Sequence, residues 1–87
     1  MTAVRHARAD ALDDLEPLLE QLRTLPDLDE RSRGSFYRRS KGFLHFHEDP
    51  TGHHADLKVD GEWERHRVQT KAEQRALLAR ARAVLRA

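Results

Sequence analysis

The chain has no cysteine and no isoleucine, one methionine, one tryptophan, one tyrosine, three prolines and four glycines in 87 residues. Without cysteine there is no disulfide scaffold, no thiolate zinc site and no cysteine nucleophile. No stretch reaches the roughly 18–20 apolar residues of a membrane span. The opening Met-Thr-Ala-Val-Arg-His-Ala-Arg-Ala-Asp lacks the apolar run of a signal peptide, so a cytoplasmic location with no membrane partner is expected. An excess of one charge is also missing: Lys+Arg 16 against Asp+Glu 15 leaves a net charge of +1. That balance excludes a uniformly basic nucleic-acid sponge and a highly charged disordered tail. Arginine outnumbers lysine 13 to 3 beside 11 alanines and 12 leucines, a bias that suits GC-rich coding and weakens any argument from arginine number alone.

What is present suits one small domain over residues 1–87, too short for an enclosed site beneath a lid. Leu12, Leu15, Leu18, Leu19, Leu22 and Leu25 recur at spacings of three and four and predict a helix over 11–25. Pro17 belongs in its first turn, with Asp13 or Asp14 as N-cap and residues 1–10 as an extra turn or frayed tail. Leu25-Pro26 closes it, and Asp27 to Gly34 reads as a charged connection.

From Ser35 the period changes to two, and strands are expected at about 35–39, 43–48, 54–59 and 62–68. Ser40-Lys41-Gly42, Asp49-Pro50-Thr51-Gly52 and Asp60-Gly61 carry the turn chemistry of an antiparallel meander. Thr70-Lys71-Ala72-Glu73 is a capping box that opens a helix over 71–86, with Ala76, Leu77, Ala81, Val84 and Leu85 on one face. The expected architecture is α+β: a two-layer sandwich of helix, four-stranded antiparallel meander and helix, both helices on one sheet face.

Alternation within 43–48 sends Leu44 and Phe46 toward the helices and Phe43, His45 and His47 away from them. Pairing Glu48 with His53 sets His47 opposite His54, Phe46 opposite Ala55, His45 opposite Asp56 and Leu44 opposite Leu57. Apolar meets apolar throughout, and a one-residue slip would exchange every face. His45, His47, His54 and Asp56 then form a block on the face away from the helices. Three readings of that block stand: a solvated sheet face, a surface for nucleic acid or a protein partner, or a site for Zn²⁺ or another divalent ion. The same open face could also pair two copies of the chain. His45-Phe46-His47-Glu48-Asp49 looks like the start of the His-x-His-x-Asp-His signature of metallo-β-lactamase-type hydrolases, but Pro50 stands where that signature needs histidine.

Net charge conceals four blocks: −5 over residues 1–30, +5 over 31–47, −5 over 48–64 and +6 over 65–87. Arg38, Arg39 and Lys41 crowd the first expected strand, and Arg65 and Arg67 the last. With His45, His47 and His54 they make the candidate set for nucleic acid or a partner. The alternative is internal compensation, the acidic first helix lying beside the basic last one. Trp63 is a core residue or a ligand platform according to whether the Asp60-Gly61 loop has two residues or three.

Leu25-Pro26-Asp27-Leu28-Asp29-Glu30, Phe36-Tyr37-Arg38-Arg39, Phe43-Leu44-His45-Phe46-His47-Glu48-Asp49 and Asp56-Leu57-Lys58-Val59 together resemble the MmcQ/YjbR-like family of small bacterial proteins over about residues 15–85. The sequence departs from it in lacking longer loops and a C-terminal extension. The resemblance implies a CyaY-like helix–sheet–helix domain with a suggested DNA-binding role. The acidic first helix is also similar to that of frataxins, whose acidic ridge handles iron. Neither comparison supplies a catalytic residue, and no nucleophile–base pair, glycine-rich phosphate loop or paired-carboxylate motif is visible. A non-enzymatic binding module is therefore expected.

Overall fold

The computed structural model describes residues 5–87; the first four residues of the expected frayed tail lie outside them. In chain order the elements are β1 (Arg5–His6), α1 (Ala9–Asp14), α2 (Glu16–Leu22), β2 (Asp29–Ser32), β3 (Ser35–Arg38), β4 (Lys41–Asp49), β5 (Gly52–Val59), β6 (Glu62–Arg67) and α3 (Lys71–Arg86). The protein is α+β, with an open antiparallel sheet in the order β2-β3-β4-β5-β6. The short β1 lies beside the far half of β4, pairing Arg5 with Glu48 and His6 with His47.

The β4–β5 register is the expected one, Leu44 opposite Leu57, His45 opposite Asp56, Phe46 opposite Ala55, His47 opposite His54 and Glu48 opposite His53. It runs on to Asp49 and Gly52, so Pro50 and Thr51 alone make the turn. Asp49 Oδ1 accepts from the Thr51 N–H at 2.8 Å and from its hydroxyl. The β5–β6 hairpin turns on Asp60 and Gly61, at φ 50° and 82°, the two left-handed residues of a type I′ turn.

Several expectations are corrected. The helix over 11–25 is two short ones, because Pro17 has no N–H for the Asp13 carbonyl and its ring crowds that turn. Leu15, not Asp13 or Asp14, is the N-cap of α2, and α1 begins ahead of the expected start, at Ala9. The charged connection contains β2, which makes the sheet one strand wider than a four-stranded meander. Phe43 does not face away from the helices: between Phe36↔Leu44 and Tyr37↔Gly42 it is the extra residue of a β-bulge, which turns it inward to 3% exposure. On α3, Leu78 is buried and Ala76 exposed.

One core joins the layers. Leu12, Leu15, Leu18, Leu19 and Leu22 from the first helices and Leu77, Leu78 and Ala81 from α3 pack with Phe36, Leu44, Phe46, Ala55 and Leu57 from the sheet. Leu19 and Leu57 are each 0% exposed, a burial that stabilises by roughly 1.5–3 kcal/mol per side chain. The capping box forms as expected: the Glu73 N–H donates to Thr70 Oγ1 at 3.1 Å, and Glu73 Oε1 accepts from the Thr70 and Gln69 N–H groups. No helix among the described residues is long and apolar enough to cross a membrane.

Thr70→Ala should therefore lower stability by about 1 kcal/mol, and Leu19→Ala by roughly 2–5 kcal/mol, in urea titrations followed by circular dichroism. A Thr70→Ala loss as large as that of Leu19→Ala would contradict this assignment.

Candidate functional site

Because Leu44, Phe46, Ala55 and Leu57 point inward, their neighbours His45, His47, His54 and Asp56 point to the helix-free face. The two-residue Asp60-Gly61 turn adds Trp63, paired with Lys58, to the same face. Tyr37 joins them, because it follows inward-facing Phe36 on β3, and the Phe43 bulge sets it opposite Gly42. Trp63 is a platform in position, not a core residue: at 44% exposure it is the large apolar side chain left open to solvent among the described residues. Its ring lies over Gly42, where an added Cβ would come 3.5 Å from Cη2 and 3.2 Å from His45 Nε2, so glycine permits the close approach. The His45 ring sits 4.5 Å from the indole between centroids, and Lys58 Nζ lies 4.7 Å from it. The Arg31 guanidinium similarly covers Tyr37 at 4.5 Å.

The residues of the metal reading each have other neighbours in this structure. Asp56 is held by Arg65, which donates from Nε to Oδ1 at 2.9 Å and from Nη2 to Oδ2 at 3.1 Å, with His47 Nε2 3.0 Å from the same Oδ2. His54 turns toward Asp49, its Nδ1 3.7 Å away, and His45 turns toward Trp63. His45, His47, His54 and Asp56 share a face but do not converge, and among the described residues no group of three or more ligating side chains is placed to hold a metal ion. A guanidinium already bonded to both carboxylate oxygens of Asp56 gives the physical reason.

The candidate binding set divides in two. His45, His47 and Arg65 share the helix-free face with Trp63; Arg67, paired with His54 across the ladder, reaches Glu73 at 3.5 Å. Arg38, Arg39 and Lys41 instead gather at the β3–β4 turn, lining a cleft of about 660 Å³ beside the end of α3. Sequence reading missed Lys58 and Arg80, which line the same cleft. It left Trp63 undecided, although Asp-Gly is itself the signal for a two-residue turn.

No family model matches the chain. No curated protein or solved structure matches it either.

The charge blocks compensate between chain neighbours rather than between the first and last helices. Arg33 reaches Asp13 and Glu16 at 2.8 Å each, and Arg23 joins Glu16 to Glu30, tying α2 to β2. Arg80 of α3 holds both oxygens of Glu64 on β6, at 3.1 and 2.8 Å. Arg80, with His66, draws the Glu64 carboxyl down from 4.5 to about 2. Hydrogen bonds from Arg33 and Arg23 likewise lower Glu16. At Asp56 burial pushes the carboxyl up, but the bonds and charge of Arg65 outweigh it and leave it below the ordinary value.

A carboxyl depressed by folding stabilises above its unfolded value and loses that contribution as pH falls through its folded one. The urea midpoint should thus decline as pH falls from about 4.5 toward 2, the interval set by Glu64. Arg80→Gln should make the decline shallower, and superimposable profiles for the two proteins would refute the role of this pair.

Proposed function

We propose that this protein is a non-enzymatic binding module that takes single-stranded nucleic acid across its helix-free sheet face. The observation that carries the reading is Trp63, open to solvent on a face with no helix over it and flanked by Lys58, His45 and Arg65. An exposed indole stacks on any base, and neighbouring cations meet the phosphates between bases. Tyr37, under Arg31 on β3, supplies a second ring on the same face. The ring stands beside cations rather than alone, with Lys58 Nζ 4.7 Å from its centroid. The resemblance to the MmcQ/YjbR-like family, with its suggested DNA-binding role, accords with this reading, as does a cytoplasmic location.

Fluorescence anisotropy with a labelled ten-residue oligothymidine tests it. Affinity should fall linearly in log–log form as salt is raised. Trp63→Ala should weaken binding by about five- to 150-fold, the equivalent of roughly 1–3 kcal/mol for one stacked base. A salt-independent signal, or an unchanged affinity in Trp63→Ala, would reject it. Dimers in light scattering that dissociate in Trp63→Ala would assign the face to a second copy of the chain instead.

A further inference from the structure

The cleft at the β3–β4 turn is a separate feature from the helix-free face. Arg38, Arg39 and Lys41 enter it from the hairpin, and Phe43, Val59 and Val84 form its apolar wall. Arg38 and Lys41 are direct cross-strand partners. Like charges so placed repel and weaken the pairing. The residues between them, Arg39 and Ser40, occupy left-handed backbone at φ 52° and 67° with no glycine in the turn. The hairpin thus holds three cations together in a conformation that neither residue favours.

Among the described residues none of these three cations makes an ion pair with a carboxylate, whereas Arg23, Arg33, Arg65 and Arg80 each do. The further cations Lys71, Arg75, Arg82 and Arg86 recur along the exposed side of α3, where Lys71 and Arg75 line a cleft that Asp14 also lines. In the cleft at the β3–β4 turn, Asp60 is the one acidic side chain among the lining residues, opposed by Lys58 as well, and Ala87 lines it at the end of α3. The carboxyl end of α3 contributes about half a negative charge, too little to neutralise the group. Arg38 Nε is also shut off from solvent with no hydrogen-bond partner, so part of the guanidinium's desolvation has been incurred without compensation.

We propose that this cleft binds a phosphate monoester, its dianionic head among Arg38, Arg39 and Lys41 and its organic body against Phe43, Val59 and Val84. A tetrahedral dianion offers oxygens to several converging donors at once, and arginine matches that geometry in bidentate fashion. The monoester has two chemical sources, a free small molecule or the terminal phosphate of a nucleic-acid strand.

Titrating the intact protein with inorganic phosphate and with phenyl phosphate, followed by amide chemical shifts at constant ionic strength, decides it. Saturable binding is expected, tighter for phenyl phosphate, with shifts centred on residues 38–42 and Val84. Arg38→Gln and Lys41→Gln should each weaken binding at least tenfold, and Lys41→Gln should keep or raise the urea midpoint because a like-charge pair is relieved. Arg82→Gln, on α3 outside the cleft, should bind as the parent does. Absence of saturable binding, or equal losses in Arg82→Gln, would overturn the proposal. Oligothymidine with and without a 5′-phosphate separates the sources: preference for the phosphorylated strand identifies a strand end, and indifference identifies a free monoester. Trp63→Ala should leave phosphate binding intact, so failure of the stacking face and failure of the cleft are distinguishable.

Discussion

The β4–β5 register is the constraint on which the rest depends. Leu44 against Leu57 and Phe46 against Ala55 face the helices. A slip of one residue would place His45, His47 and Asp56 under the leucines of α1, α2 and α3. Burying those groups without partners costs several kcal/mol, far more than a hairpin can lose and persist. The leucine stripes and the histidine face are therefore one fact seen from two sides. Apolar packing fixes the register, and the register decides which polar groups become neighbours on the open face.

Charge is organised on top of this scaffold and contributes little to holding it. The ion pairs of Arg23, Arg33, Arg65 and Arg80 involve partly or fully exposed groups, and such pairs individually supply about 0–1 kcal/mol. Their effect is one of allocation. Acids of the first helices take Arg23 and Arg33, and acids of β5 and β6 take Arg65 and Arg80. Positive charge in excess of local acid collects at the β3–β4 turn, which explains why a chain of net charge +1 has a basic corner.

The sequence made parts of this legible wherever a single local rule sufficed. The capping box at Thr70 and Glu73 needs only its own turn, and the β4–β5 pairing follows from matching apolar partners. β2 was illegible because Asp29-Glu30-Arg31-Ser32 carries no apolar alternation; the ladder to β3 and the Arg23–Glu30 bond hold it instead. Phe43 misled because one bulged residue reverses parity for everything before it in the strand, moving Gly42 onto the open face opposite Tyr37. The bond from Arg65 to Asp56 was not legible because it comes from a strand whose register depended on the next turn. The cleft combines the hairpin with Val84 on α3, a long-range neighbourhood that no periodicity encodes.

The two outer strands have a consequence for association. β2 and β6 end the sheet, and both carry charge along most of their length, from Asp29-Glu30-Arg31 on one side to Glu62, Glu64, Arg65 and Arg67 on the other. A dense mixture of charges on an open rim opposes the docking of another extended segment, since each added ladder bond would bring charged side chains into register. The rim therefore guards the protein against strand-by-strand growth into fibres.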